Sequence, residues 1–277
     1  MKHTLSFLLI TLLFSACSFG EREEKQEQIL PEAVSKFVDY EIKSIDESVG
    51  PCVSDSTSQK CLIFQVEYPL ITGGPTQEVL DQLNENIKSD ITNTYTISER
   101  PISFDELQKN LSTDYQKMLD EFPEYSNAWA LEINSDILYQ DSLFISVATT
   151  IYSYTGGAHP NSVQVYRSYD LRTGEPITLD QLLVPGYERE LNQSAEIEFR
   201  MTKEIPPNIS LKERGYWFEE GQFSLNQNFA IINKSLVFYF NPYEIAPYSM
   251  GPTELELKLT DYAQLIKEGS VIYAYKN

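Results

Sequence analysis

The sequence predicts an α+β fold in which antiparallel β-sheets carry helices packed on them, arranged as two adjoining modules. Three observations predict it. Apolar residues recur at helical spacing between residues 77 and 122. Runs rich in β-branched and aromatic residues, separated by turn signals, fill residues 129–169. A second series of helices and then strands follows Thr178.

The elements are taken in chain order. Lys2 precedes an apolar run from Leu5 to Phe14, about ten residues long, which is signal-peptide length and too short to span a bilayer. Ser15, Ala16 and Cys17 close it in the manner of a bacterial lipobox, with Phe14 where such boxes favour leucine. Residues 1–16 are therefore expected to be a lipoprotein signal peptide. Residues 17–35 are expected to be a lipidated Cys17 followed by a charge-rich tether. The alternatives are an ordinary secretory signal cleaved near the same place and an uncleaved anchor.

Val38 to Ile45 and Leu62 to Tyr68 read as strands, and the polar loop between them lies between Cys52 and Cys61. In an exported chain this pair is expected to form a disulfide pinning the hairpin, worth about 2.5–3 kcal/mol by loop-closure entropy. From Gln77 to Ile91 the residues Val79, Leu80, Leu83, Ile87 and Ile91 share one helical face. Ser103 and Glu106 form a capping box ahead of Phe104, Leu107, Leu111, Tyr115 and Met118, and this helix is expected to end near Phe122-Pro123.

Trp129 to Asn134, Leu143 to Tyr154 and Ser162 to Tyr169 read as a three-stranded meander. Arg172 to Glu175 form a turn, and Thr178 with Gln181 caps a short helix. Glu188 to about Lys203 is expected to be helical, with Leu191, Ala195, Ile197 and Phe199 as its apolar side and Pro206-Pro207 beyond its end. Strands are expected at Phe229 to Ile232, Leu236 to Phe240, Leu255 to Leu259 and Val271 to Tyr275.

Composition excludes some functions. The 277 residues carry 41 acids against 21 bases, for a net charge of −20, and loss of Lys2 with the signal makes it −21. Nucleic-acid binding needs clustered Lys and Arg, so it is excluded as a role, whereas a cationic partner suits the charge. After signal removal His159 is the one remaining histidine. A lone histidine with carboxylates is a poor zinc set, and no calcium-loop pattern is present, so no metal or other cofactor is expected.

His159 sits in Gly156-Gly157-Ala158-His159-Pro160-Asn161, where two glycines permit a tight turn and Pro160 holds His159 extended. Such a loop either locks itself through the imidazole or presents the ring to a ligand. The segment Phe238 to Gly251 is the other unusual stretch. Its Tyr243, Glu244 and Tyr248 stand among two prolines, and either pack the loop down or offer an aromatic contact surface. Gly156, Gly157, His159, Asn161, Tyr243, Glu244 and Tyr248 are the candidate ligand-binding residues. No nucleophile elbow occurs, and no catalytic residue is assigned.

Three motifs in order carry a family resemblance. They are Tyr152-x-Tyr154-x-Gly156-Gly157-Ala158-His159-Pro160, then Tyr169-Asp170-Leu171-x-Thr173-Gly174-x-x-Ile177-Thr178-Leu179-Asp180-Gln181-Leu182-Leu183, then Tyr243-Glu244-Ile245-Ala246-Pro247-Tyr248-x-x-Gly251. Together they resemble the paired domains of unknown function found in bacterial envelope lipoproteins. The pair is shared with peptidoglycan deacetylases of the PdaC type, outside their catalytic domain, and with the lysozyme-binding ectodomain of the anti-sigma factor RsiV. Tyr68-Pro69-x-Ile71 with Leu83-Asn84-x-x-Ile87 looks like the start of the first domain.

The resemblance implies a PdaC-like N-terminal module over residues 36–172 and an RsiV-like C-terminal module over residues 173–277. It implies a non-catalytic, lipid-anchored binding module of the cell envelope, taking a peptidoglycan-related ligand or a cationic protein such as lysozyme. The alternatives are an envelope hydrolase using His159 with a carboxylate, and a purely structural envelope lipoprotein.

Overall fold

A computed structural model describes residues 38–96 and 102–276. The expected signal, Cys17 and the whole of the tether lie outside the described residues. β1 (Asp39–Val49), β2 (Leu62–Gly73), β3 (Trp129–Gln140), β4 (Phe144–Tyr154) and β5 (Asn161–Asp170) form one sheet in sequential order. All neighbours are antiparallel except β2 and β3, which run parallel from the Leu62–Trp129 pair to the Glu67–Asn134 pair. A parallel pair needs a long crossover, supplied here by α1 (Gln77–Thr96) and α2 (Phe104–Glu121).

Both helices lie on one face of this sheet. Leu80, Leu83, Ile87 and Ile91 of α1 are buried with Leu107, Leu111 and Tyr115 of α2 against Leu62, Phe64 and Val66 of β2 and Leu131 and Ile133 of β3. Each such side chain contributes about 1.5–3 kcal/mol by leaving water, so truncating Leu83 to Ala would cost about 2–5 kcal/mol. Ser103 caps α2 as expected, its Oγ accepting from the Glu106 N–H at 3.1 Å. Cys52 and Cys61 are disulfide-bonded across the β1–β2 connection.

α3 (Leu179–Leu182) opens with the Thr178 N–H donating to Gln181 Oε1 at 2.8 Å. α4 (Glu188–Thr202) lays Leu191, Ala195 and Phe199 on a second sheet of β6 (Phe229–Ile232), β7 (Ser235–Phe240) and β8 (Thr253–Lys258). The β6–β7 turn places Asn233 and Lys234 at φ 45° and 67°, as a two-residue hairpin turn of the primed type demands.

Two expectations are corrected. Ile197 is 59% exposed, not on the apolar side of α4. It stands two residues from both Ala195 and Phe199, and at about 100° per residue that places it across the helix. Val271 to Tyr275 is not a strand but a turn leading into a 3-10 helix, Tyr273–Lys276. Val271 and Ile272 are nonetheless buried, and Tyr275 Oη donates to Asp141 Oδ2, docking the segment on the β3–β4 connection. A short apolar run reads alike for a strand and for a buried turn.

The second sheet packs on the other face of the first chiefly at β4 and β5, with a smaller contact at β3. Ser146 Oγ donates to the Ile231 carbonyl at 2.6 Å, and the Ile231 N–H donates to Ser168 Oγ at 3.0 Å. Ala148 and Tyr166 pack on Ala230 and Val237 in the same interface.

Candidate aromatic binding surface

The site is built where the tip of the β4–β5 hairpin meets the segment following β7. At the tip Gly156 and Gly157 take φ values of 94° and 105°. A Cβ at Gly156 would lie 2.5 Å from Tyr125 Oη, which itself accepts a hydrogen bond from Trp129 Nε1 at 3.1 Å. Tyr154 Oη donates to the Gly157 carbonyl at 3.1 Å. The turn is thus clamped between two tyrosines, and Gly156 is required there both for its φ and for the close approach.

Beyond the glycines His159 projects into solvent. Its Nδ1 lies 2.8 Å from the Pro160 carbonyl oxygen. A carbonyl only accepts, so Nδ1 carries the hydrogen, and in the neutral ring Nε2 is left as an acceptor. The imidazole therefore locks its own turn through one nitrogen and leaves the rest of the ring exposed. Its face stacks on Tyr248, with centroids 5.1 Å apart and planes at 23°. Tyr248 in turn contacts Tyr243 at 5.4 Å and 33°. Tyr243 and Tyr248 remain 55% and 44% exposed.

The loop bearing the tyrosines is held from both sides. Glu244 Oε2 accepts from the Asn241 N–H at 2.8 Å, and Oε1 accepts from Asn226 Nδ2 at 2.7 Å. The carboxylate thereby ties its own loop to the segment ahead of β6, and Tyr243 stands at φ 68° with its ring 55% exposed. Trp217 reinforces the arrangement. Its N–H donates to the Ile245 carbonyl at 2.9 Å and its Nε1 to the Glu244 carbonyl at 3.1 Å, while the ring stays 45% exposed.

Position relative to the hairpin is set by two asparagines. Asn241 Oδ1 accepts from the Gln164 N–H and its Nδ2 donates to the Gln164 carbonyl. Asn228 Oδ1 accepts from the Tyr166 N–H at 2.7 Å, and its Nδ2 also reaches the Gln164 carbonyl at 2.8 Å. β5 is the edge strand of its sheet, so these amides satisfy backbone groups that would otherwise face outward unpaired.

Of the candidate residues, the structure brings His159, Tyr248 and Tyr243 together. Gly156 and Gly157 shape the turn, and Glu244 braces the loop. Asn161 opens β5 opposite Ser153 and is exposed. Cys52 and Cys61 line a separate cleft with Tyr152 and Tyr154. Sequence reasoning missed Asn228, Asn241 and Trp217. An Asn-Pro pair straight after a strand was the available signal for Asn241, since such pairs favour turn initiation. Among the described residues no group of three or more His, Cys, Asp or Glu side chains is arranged to hold a metal ion.

Comparisons with known proteins bear out the resemblance carried by the motifs. Residues 56–162 match the family described as deacetylase PdaC, and residues 180–260 match the protein family of unknown function DUF3298. A DUF3298 family protein of Bacteroides fragilis has the same fold. Its crystal structure superposes with a TM-score of 0.72 at 19% identity, covering 88% of this chain and 99% of that one. Esterase Rv3036c of Mycobacterium tuberculosis is 31% identical over 122 residues, 40% of this chain and 48% of the esterase. Peptidoglycan-N-acetylmuramic acid deacetylase PdaC of Bacillus subtilis is 24% identical over 140 residues, 50% of this chain and 29% of that enzyme. The chain thus spans about half the length, or less, of these curated relatives.

Proposed function

We propose that this chain is a non-catalytic binding module tethered in the bacterial cell envelope, and that it takes a cationic protein such as a lysozyme on the His159–Tyr248–Tyr243 surface. The observation that carries the reading is the stack itself. Two segments more than eighty residues apart in sequence converge to place three aromatic rings in contact and in solvent. Ring faces attract Arg and Lys side chains, and a chain of net charge −20 steers such a partner toward them. The signal and Cys17 supply the envelope location and the lipid anchor.

A hydrolase pairing His159 with a carboxylate draws less support. Both oxygens of Glu244 are engaged in bracing hydrogen bonds, one from the Asn241 N–H of its own loop and one from Asn226 Nδ2 ahead of β6, and His159 Nδ1 is turned to the Pro160 carbonyl. The esterase and the deacetylase match this chain over only part of their own lengths.

The test is retention of a c-type lysozyme by the full chain at low and high salt. Binding at about 10 μM in low salt, weakened by added salt and by Tyr248→Ala, is the expected result. No retention at that concentration in low salt removes the cationic-protein reading.

A further inference from the structure

Beside the hairpin tip the outward face of the first sheet is open. Among the described residues neither the helices nor the second sheet packs substantially on the outward face of β1, β2 and the start of β3, where Tyr40 and Ile42 are 44% and 47% exposed. The strand register lays a transverse row across it, Asp46–Gln65–Glu132–Tyr152. A second row beside it runs Ser48–Ile63–Ala130–Tyr154. At the β3–β4 end of these rows a cleft of about 490 Å³ is walled by the Cys52–Cys61 disulfide and by the 126–128 segment.

Glu132 is the one ionisable acid lining this cleft. It is half-buried, and among the described residues no ion pair or hydrogen bond holds its carboxylate. Its cross-strand neighbours are Gln65 and Tyr152, and the row contains no lysine or arginine. Register partners on one face have Cβ atoms about 4.5–5.5 Å apart, so the Tyr152 ring stands beside the carboxylate. Tyr154 is held over the same cleft by its hydrogen bond to the Gly157 carbonyl. The rim is neutral and hydrogen-bonding, with the amides of Gln59 and Asn127 on it.

We propose that this cleft binds a glycan unit carrying a free amine, a glucosamine-type residue. Its ring lies on the faces of Tyr152 and Tyr154, its ammonium group meets Glu132, and its hydroxyls meet the rim amides. Tyrosine faces offer stacking area for the C–H face of a sugar, and an unpaired carboxylate between them selects a cation. A lysine or arginine side chain of a protein would also suit Glu132. Several neutral amides around a single carboxylate match a polyhydroxylated ring better than a charged peptide. This inference does not rest on the aromatic surface. Its failure would leave the lysozyme experiment, which reads Tyr248, untouched.

The experiment is calorimetric titration of the full chain with a β-1,4-linked glucosamine tetramer, its fully N-acetylated counterpart and tetralysine. The amine-bearing tetramer is expected to bind saturably in the submillimolar range, and the acetylated one about tenfold more weakly. Glu132→Gln is nearly isosteric and removes one of 41 acids, so general attraction to the anionic chain survives it. It should abolish the preference for the amine while the melting temperature stays within about 2 °C. Tyr152→Ala should weaken both sugars. Three results would each overturn the proposal: no binding by either sugar at millimolar concentration, equal binding of the two, or an amine preference that survives Glu132→Gln. Tetralysine binding as tightly as the sugar, and equally lost in Glu132→Gln, would overturn it in favour of a peptide contact.

Discussion

Asn241 pairs with Gln164 as a strand would. Its Oδ1 accepts from the Gln164 N–H at 2.7 Å and its Nδ2 donates to the Gln164 carbonyl at 3.0 Å. One side chain thus copies both hydrogen bonds of a β-bridge at the free edge of β5. It also sits two residues before Tyr243, so the fastening that closes the edge also positions the aromatic surface.

Replacing Asn241 by Ala should therefore lower stability and weaken binding together. The Gln164 N–H loses its partner in a half-buried place, while the carbonyl keeps Asn228 Nδ2. The expected cost is about 1–3 kcal/mol in denaturant unfolding. Asn241→Asp keeps the acceptor but sets a carboxylate oxygen against the Gln164 carbonyl, and should be no better than Ala. An Asn241→Ala protein of unaltered stability would refute the fastening.

The two glycines of the hairpin tip should differ. A Cβ at Gly157 meets nothing within 4 Å, whereas at Gly156 it would collide with Tyr125 Oη. Gly157→Ala should cost only the strain of its positive φ, about 1 kcal/mol. Gly156→Ala should cost that and a steric term, about 2 kcal/mol or more. Because the clash is with a hydroxyl, Tyr125→Phe should rescue part of the Gly156→Ala loss. A double-mutant cycle measures the coupling, and additive effects would contradict the geometry.

Much of this architecture is legible in the sequence. The stripe Leu80, Leu83, Ile87, Ile91, the Ser103 cap and the three-strand meander are local patterns, and each formed as the spacing implied. The parallel pairing of β2 with β3 was not legible, because their strands are equally apolar whichever neighbour they take. The same limit applies to the site. His159 and Tyr248 each stood out as unusual. Their meeting depends on Asn228 and Asn241 reaching across to β5, a contact between elements more than sixty residues apart that no local period encodes.

Reduction of the Cys52–Cys61 disulfide should lower stability without unfolding the chain. The bridged cysteines are nine residues apart, so loop-closure entropy accounts for about 2.5–3 kcal/mol. For a body of this size that is about 5–12 °C in melting temperature. Scanning calorimetry with and without reductant checks it. The β1–β2 ladder runs the whole length of both strands, so the fold should persist when the bridge is open.

Alkaline pH should destabilise the protein above pH 10, through buried tyrosines. Tyr169 is the clearest case. Burial pushes its phenol well above the ordinary 10.0, and the charge of Asp90 and the 2.7 Å hydrogen bond to Asp90 Oδ2 push the same way. Tyr166 beside Glu254, Tyr187 beside Asp180 and Tyr275 beside Asp141 are raised too, by burial first and then by the hydrogen-bonded carboxylate. The sign follows from linkage. Above pH 10 the unfolded chain releases these protons while the folded chain keeps them, so the folded state binds more protons and loses stability as pH rises. Below pH 10 both states hold the proton and the contribution is fully present. Each buried phenol adds a slope of up to about 1.4 kcal/mol per pH unit. Tyr169→Phe separates the effects. It strips Asp90 of a donor and should cost about 1–3 kcal/mol at pH 8, yet its stability should fall less steeply above pH 10. Denaturant unfolding at intervals from pH 8 to 11 measures both quantities. Parallel curves for the wild type and Tyr169→Phe would show that this phenol does not hold its proton in the folded state.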